Sequence, residues 1–150
     1  LQGLWVFLTS VAAVTAITSR KIIEPDLFLY IGSFLWVFGF LFESIADYQK
    51  RKFRSENKNK FIQSGLWSVS RHPNYFGEIV LWFGIALIAF PTLVGSQYIS
   101  LISPVFVYLL LTRVSGVHIL EKHADDTWGK KKDYKAYKEK TPVLFPKIFK

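Results

Sequence analysis

The sequence predicts an all-α membrane protein: about four transmembrane helices, then a C-terminal amphipathic helix on the cytoplasmic side and an extended tail. Three observations lead there. Apolar residues make up 51% of the 150, and aromatics 17%, yet the formal net charge is +8. The apolar residues and the lysines are segregated along the chain, as in a membrane protein with basic ends. The loop charges also fall on one side of an even number of crossings. A basic balance can signal nucleic-acid binding instead. Here much of the charge flanks apolar runs long enough to enter a bilayer, so a membrane is the expected partner and nucleic acid is not.

Length alone suggests a single membrane domain. The chain contains no Met and opens with Leu1-Gln2 inside an apolar run, so it reads as the C-terminal part of a longer protein. No basic region precedes that run, so it does not read as a signal peptide. There is no Cys, which removes disulfides, thiolate metal sites and a Cys nucleophile.

Residues 4–18, with 1–3, make roughly one span of about 20 residues. Ser19-Arg20-Lys21 ends it, and Glu24-Pro25-Asp26 reads as a turn because Pro25 bars a continuous helix. The second span covers about 27–45. Its interior carries Glu43, with Asp47 one turn later on the same face. Carboxylates near membrane depth either serve a function or lie at the interface, where they cost little. A basic stretch follows. If the second helix continues through it, Lys50 and Arg54 share a face at i, i+4. A mobile ammonium beside a planar guanidinium suits a phosphate or pyrophosphate; the alternative is a cluster drawn to anionic lipid.

Residues 64–78 carry Arg71, His72, Asn74, Tyr75 and Glu78 within eight positions, between two apolar segments. Pro73 biases His72 away from helix, so the chain turns, and Asn74 is expected to cap a helix starting near Tyr75. Arg and His at a helix mouth make a candidate anion site. The plainer reading is an interfacial loop with an aromatic belt.

Residues 79–90 form a short apolar helix ended near Pro91. Residues 98–112 are apolar again, with a kink expected at Pro104. Both look short for independent spans and read as a hairpin. Seven Lys and Arg lie between the second and third helices and ten from Arg113 onward. Only Arg20 and Lys21 lie between the first and second, and none between the third and fourth. Four crossings then put the basic loop and the tail on one side, which the positive-inside rule makes cytoplasmic. Residues 114–138 predict an interrupted, partly amphipathic helix broken near Gly129. Thr141-Pro142-Val143-Leu144-Phe145-Pro146 predicts an extended strap.

The chemistry that can be built is limited. His118 and His123 are five apart, which is not the spacing of a helical metal pair, so no metal is expected. There is no nucleophile elbow and neither standard nucleotide-binding glycine motif. What remains is a basic cluster beside apolar helices, fit for a ligand with an anionic head and a partner arriving from the bilayer.

Arg71-His72-Pro73-Asn74-Tyr75-Phe76-Gly77-Glu78 resembles the R-H-x-N-Y-x-G-[DE] signature of membrane sterol reductases and bacterial members of the steroid 5α-reductase family. Ala46-Asp47-Tyr48-Gln49-Lys50-Arg51-Lys52-Phe53-Arg54 resembles the A-N-x-Q-K-x-x-F-R segment that precedes it, with Asp47 in place of Asn. The tail around Glu121, Trp128-Gly129, Tyr134, Tyr137 and Pro142 resembles the family's closing stretch. These matches run in order over most of residues 43–146. The Arg-His-Pro-x-Tyr-x-Gly core is shared with isoprenylcysteine carboxyl methyltransferases.

The resemblance implies a membrane enzyme binding NADPH, with Lys50 and Arg54 on cofactor phosphate. Arg71, His72, Asn74 and Tyr75 would line the pocket, Glu78 would fix its polar groups, and Glu121 and Tyr137 match the tail motif. Where sterol reductases carry Arg-Asp before the glutamate, this chain has Ile119-Leu120. A phosphate or nicotinamide contact is therefore expected to be either missing or replaced, with Arg113, His118 or Lys122 as the candidates to stand in for that Arg-Asp pair. The catalytic group is unassigned, with Tyr75, Glu78 and Glu43 as candidates. In 5α-reductases the groups polarising the substrate ketone lie largely in earlier helices, most of which this segment is expected to lack. Two functions follow. One is an NADPH-dependent reductase of a carbon–carbon double bond in a lipid or steroid-like enone. The other is a SAM-dependent methyltransferase of a lipidated thiol or carboxylate, which needs less phosphate-binding charge. A non-catalytic membrane module with lipid-touching basic patches is the third reading.

Overall fold

The computed structural model describes residues 2–21 and 23–147; Leu1, part of the expected first span, lies outside them. Every regular element among these residues is helical: α1 (Gln2–Thr18), α2 (Leu27–Glu56), α3 (Pro73–Ala89), α4 (Ile102–Leu109), α5 (Val117–Trp128) and α6 (Lys132–Lys140). Tight 3-10 turns cover Gly65–Ser68, Phe90–Thr92 and Gly95–Leu101, and a π-helical turn covers Leu110–Val114. Three helical runs, Leu27–Glu56, Pro73–Thr92 and Gly95–Trp128, are long and apolar enough to cross a membrane, and Gly3–Thr18 is a shorter apolar helix. The chain is an all-α membrane protein.

α1 holds no charge, and its hydroxyls are satisfied inside the helix. Thr9 Oγ1 donates to the Trp5 carbonyl and Thr15 Oγ1 to that of Val11, both at 2.7 Å, which lets threonine sit in an apolar medium. α2 starts where Asp26 Oδ1 accepts the Leu29 amide at 2.9 Å, an N-cap bond. It then runs on past residue 45 to Glu56, because Gln, Lys and Arg are good helix formers. The condition for Lys50 and Arg54 to share a face is therefore met.

α3 corrects one expectation. It begins at Pro73, not near Tyr75 behind an Asn74 cap. Proline's fixed φ and missing N–H suit the first helical position. The residue before it, His72, offers its carbonyl to the Phe76 amide at 3.2 Å, and Asn74 falls inside the first turn. A second correction concerns length. The runs from Pro73 and from Gly95 hold 20 and 34 residues, so neither is short for a span. Pro104 is the third residue of α4, just after the point where the run changes from the 3-10 turn Gly95–Leu101 to α-helix, a place where a proline's missing N–H is tolerated.

The chain divides into two compact units. The first comprises Leu1–Phe40 and Glu78–Leu110. In it α1 packs on α4 and on the Gly95–Leu101 turn. Ser103 Oγ donates to the Thr9 carbonyl, and Ser19 Oγ donates to that of Thr92 at 2.9 Å. Its buried residues are mostly small or medium-sized: Ala12, Ala86, Ala89, Ser100, Ser103, Leu93 and Val107. Small residues let helix backbones meet where lipid offers no hydrophobic drive for association. Gly32 and Gly84 let α2 and α3 approach closely, since a Cβ on Gly84 would lie 2.6 Å from the Gly32 carbonyl oxygen. Beside them is an apolar cavity of about 560 Å³ lined by residues that include Leu35, Val80, Phe83, Leu87, Val105 and Tyr108. Large side chains such as Val6, Ile17, Phe34 and Ile99 are exposed, as expected of surfaces whose solvent is hydrocarbon. The second unit, Leu41–Gly77 and Leu111–Lys150, carries the candidate site.

The glycine contact yields a test. Because the obstacle to a Gly84 Cβ is backbone, Gly84→Ala should lower stability by about 1–3 kcal/mol. Gly3→Ala, with nothing within 4 Å of the added carbon, should leave the melting temperature of the detergent-purified protein unchanged.

Candidate active site

The site is built around Trp67. Gly65 opens its turn at φ +61° and lies so close to Gln49 that an added Cβ would fall 2.5 Å from Gln49 Oε1. That oxygen accepts the Leu66 amide at 2.9 Å. Trp67, only 4% exposed, donates Nε1–H to the Ala46 carbonyl at 3.0 Å, and its own carbonyl accepts the Tyr137 hydroxyl at 2.6 Å. The indole is thus tied to α2 on one side and α6 on the other, and Lys50 Nζ stands 4.7 Å from its ring centre, a cation–π contact.

The segment after Trp67 is fixed by the tail. The amides of Arg71 and His72 donate to the carbonyls of Pro142 and Val143 at 2.9 and 3.1 Å, and the Lys147 amide donates back to Val69 at 2.9 Å. Ser70 Oγ donates to the Leu144 carbonyl at 2.8 Å. The extended tail is therefore a strap laid along residues 69–72.

With their backbone held, Arg71 and His72 meet Glu121 of α5. Arg71 Nη1 is 2.6 Å from Glu121 Oε2, and His72 Nε2 is 2.8 Å from Oε1. The side chains are 11%, 6% and 20% exposed. A carboxylate only accepts, so Nε2 carries the proton. Lys138 Nζ lies 3.7 Å from the same carboxylate and 2.6 Å from Asp125 Oδ1, tying α6 to α5. The ring of His72 stacks on Tyr75 at 5.7 Å and 10°. Gly116 packs so closely that a Cβ there would sit 2.9 Å from the Tyr75 ring and closer still to the Leu111 carbonyl. That carbonyl belongs to the π-helical turn, a feature frequent at functional sites. Burial pushes the Tyr137 phenol well above the usual tyrosine range despite the opposing charge of Arg71, so it stays a neutral donor.

These elements enclose a cavity of about 150 Å³. Of the residues singled out from sequence, Lys50, Arg54, Arg71, His72, Glu121 and Tyr137 line it together. Asn74, Tyr75, Glu78 and Glu43 are not among its lining residues. Arg113, His118 and Lys122, which might have stood in for the family's Arg-Asp pair, are not either, whereas Leu120 and His123 are. Trp128 and Tyr134, which the sequence offers only as part of the closing stretch, also line the cavity, as do Lys60, Phe61 and Trp67, which are not among the residues expected to bind the cofactor. Phe61 packs against Trp128, Tyr134 and Tyr137 at centroid distances of 5.9, 5.2 and 5.6 Å.

The electrostatics are lopsided. Arg71 and His72 already hold a carboxylate, whereas Lys50, Arg54 and Lys60 form no ion pair among the described residues. Of the four buried polar atoms without a hydrogen-bond partner among the described residues, three lie in this segment: Arg71 Nε, His72 Nδ1 and Asn74 Oδ1. Buried groups of this kind call for a partner, in water or in a ligand. Among the described residues no group of three His, Cys, Asp or Glu is placed to hold a metal ion.

The family model described as "Protein of unknown function (DUF1295)" matches residues 1–141. A protein of Acanthamoeba polyphaga mimivirus named "Probable 7-dehydrocholesterol reductase" is 36% identical over 63 residues, a match covering 30% of this chain and 14% of that protein. The chain thus spans a small part of that relative's length. No solved structure matches the chain.

Tyr137→Phe removes the donor to a buried carbonyl. It should cost about 1–3 kcal/mol of stability, read as a fall in melting temperature. Tyr134→Phe, whose hydroxyl makes only a 3.3 Å contact to Asp125, should cost less.

Proposed function

The chain belongs to the DUF1295 family, and on that premise we propose that it is a membrane-embedded, NADPH-dependent reductase of a carbon–carbon double bond in a lipid or steroid-like enone. The observation that carries this reading is the set of cations without carboxylate partners, Lys50 and Arg54 first, sharing one cavity with aromatic side chains. The reductase name of the mimivirus relative supports it. The basic side of the site would face the cytoplasm, in line with the positive-inside rule.

The residues fit such a cofactor by chemistry. Lys50 and Arg54, one helical turn apart on α2, would hold phosphate oxygens. A cavity of about 150 Å³ lies below the usual 300–1,000 Å³ of small-molecule sites. Only part of a dinucleotide would therefore enter it, and the phosphates would stay on the exposed side where Arg54 lies. His72 Nδ1 and Arg71 Nε, buried without partners, are the groups that a polar ring substituent would satisfy. When bound, NADPH supplies a hydride to the electron-poor β-carbon of the enone. The protein's share is to orient that carbon and to hydrogen-bond the carbonyl oxygen as negative charge develops on it. Tyr75, fixed by His72 and Gly116, is a candidate for that donor, with Glu78 and Glu43, which could donate only as protonated acids. Asn74, inside the first turn of α3, would complete the pocket. Glu121 would act by holding Arg71 and His72 in place, and Tyr137 by holding Trp67.

Titration of NADPH and S-adenosylmethionine against the detergent-purified protein tests the proposal. NADPH should bind, and Lys50→Ala and Arg54→Ala should each weaken it about tenfold, since each removes a charge-assisted contact worth about 1.5–3 kcal/mol. Binding of S-adenosylmethionine without NADPH would replace this reading with the methyltransferase one.

A further inference from the structure

We propose that Lys60 is the residue through which the site selects a dinucleotide bearing a 2′-phosphate over one without it. The inference rests on the reductase reading above and names a specificity-determining residue for it.

The argument starts from charge. A dinucleotide pyrophosphate carries about two negative charges, and a 2′-phosphate adds about 1.5–2 more. Lys50 and Arg54 can balance the first group but not both. They lie four residues apart on one helix, so they grip one locus. Arg71, the remaining guanidinium in the cavity wall, is committed to Glu121 at 2.6 Å. A separate phosphate needs a cation delivered by a different element, and Lys60 is the cavity-lining lysine outside α2.

Lys60 is not an arbitrary loop lysine. Asn57 closes the end of α2, its amide and its Nδ2 both donating to the Phe53 carbonyl at 2.9 and 3.3 Å. Asn59 then reverses the chain at φ +62°, a left-handed conformation that asparagine tolerates better than most residues. Its carbonyl faces Trp128 Nε1 at 3.4 Å. On the other side Phe61 is sunk among Trp128, Tyr134 and Tyr137. Lys60, a lining residue of the cavity, thus stands between two held neighbours, which lowers the cost of ordering its backbone on binding. Lys58, two residues earlier with the same charge, does not line the cavity.

The experiment measures NADPH and NADH dissociation constants for the purified protein in lipid nanodiscs, for wild type, Lys60→Ala, Lys60→Arg and Lys58→Ala. Lys60→Ala should weaken NADPH about tenfold and NADH less than about twofold, the loss of one charge-assisted phosphate contact. Lys60→Arg should return NADPH affinity to within about threefold of wild type, because the charge is kept. Lys58→Ala should change neither. Equal weakening of both nucleotides by Lys60→Ala, or a Lys58→Ala effect as large, overturns the assignment while leaving the reductase reading intact. A wild-type protein that binds neither nucleotide overturns both.

Discussion

The contact on which the rest of the second unit depends is the Glu121 carboxylate held between Arg71 and His72. These residues are about fifty positions apart, on α5 and on the segment that leads into α3. A carboxylate, a guanidinium and an imidazole this little exposed are costly to desolvate and hold only as a complete set. Removing one partner from a buried pair typically costs 3–5 kcal/mol. The guanidinium and imidazole at the mouth of α3 thus hold an anion supplied by the protein itself. Lys138 extends the same network to α6 through Asp125, and the tail strap fixes the backbone of Arg71 and His72 from the other side.

That internal pairing sorts the remaining charge. With Arg71 and His72 committed, the cavity-lining lysine and arginine side chains that form no ion pair among the described residues are Lys50, Arg54 and Lys60. They come from the end of α2 and the turn after it. Much of the remaining lining is aromatic and anchored: Trp67, over which Lys50 sits, is tied through both its indole N–H and its carbonyl, and Phe61 is packed against three other rings. Such a wall lowers the ordering cost that binding would otherwise incur. The first unit contributes a different kind of space, an apolar cavity among membrane-length helices whose lining is almost free of polar groups.

Much of the architecture could be read from residues. Pro25 and Pro91 marked ends of apolar runs, and Gly129 marked the break between α5 and α6, all through backbone rules that act locally. The shared face of Lys50 and Arg54 followed from helical period once α2 continued through its basic part. The pairings were not legible. Nothing near Arg71 in sequence announces Glu121 or the carbonyls of Pro142 and Val143, because tertiary contact leaves no local signature. The Asn74 cap failed because Asn is a good cap in general while Pro73, beside it, is the better first helical residue. Lys60 and His123 look like ordinary surface charges in the sequence, since their entry into the cavity depends on how the turn after α2 and the register of α5 bring them there.

A double-mutant cycle on Arg71→Ala and Glu121→Ala, read by thermal unfolding of the purified protein, tests the central contact most directly. Mutual dependence predicts that the double variant is destabilised by much less than the sum of the single effects, with a coupling of about 2 kcal/mol or more, at the upper part of the range seen for residues in one network. Effects that add to within about 0.5 kcal/mol, as they do for independent sites, would contradict it.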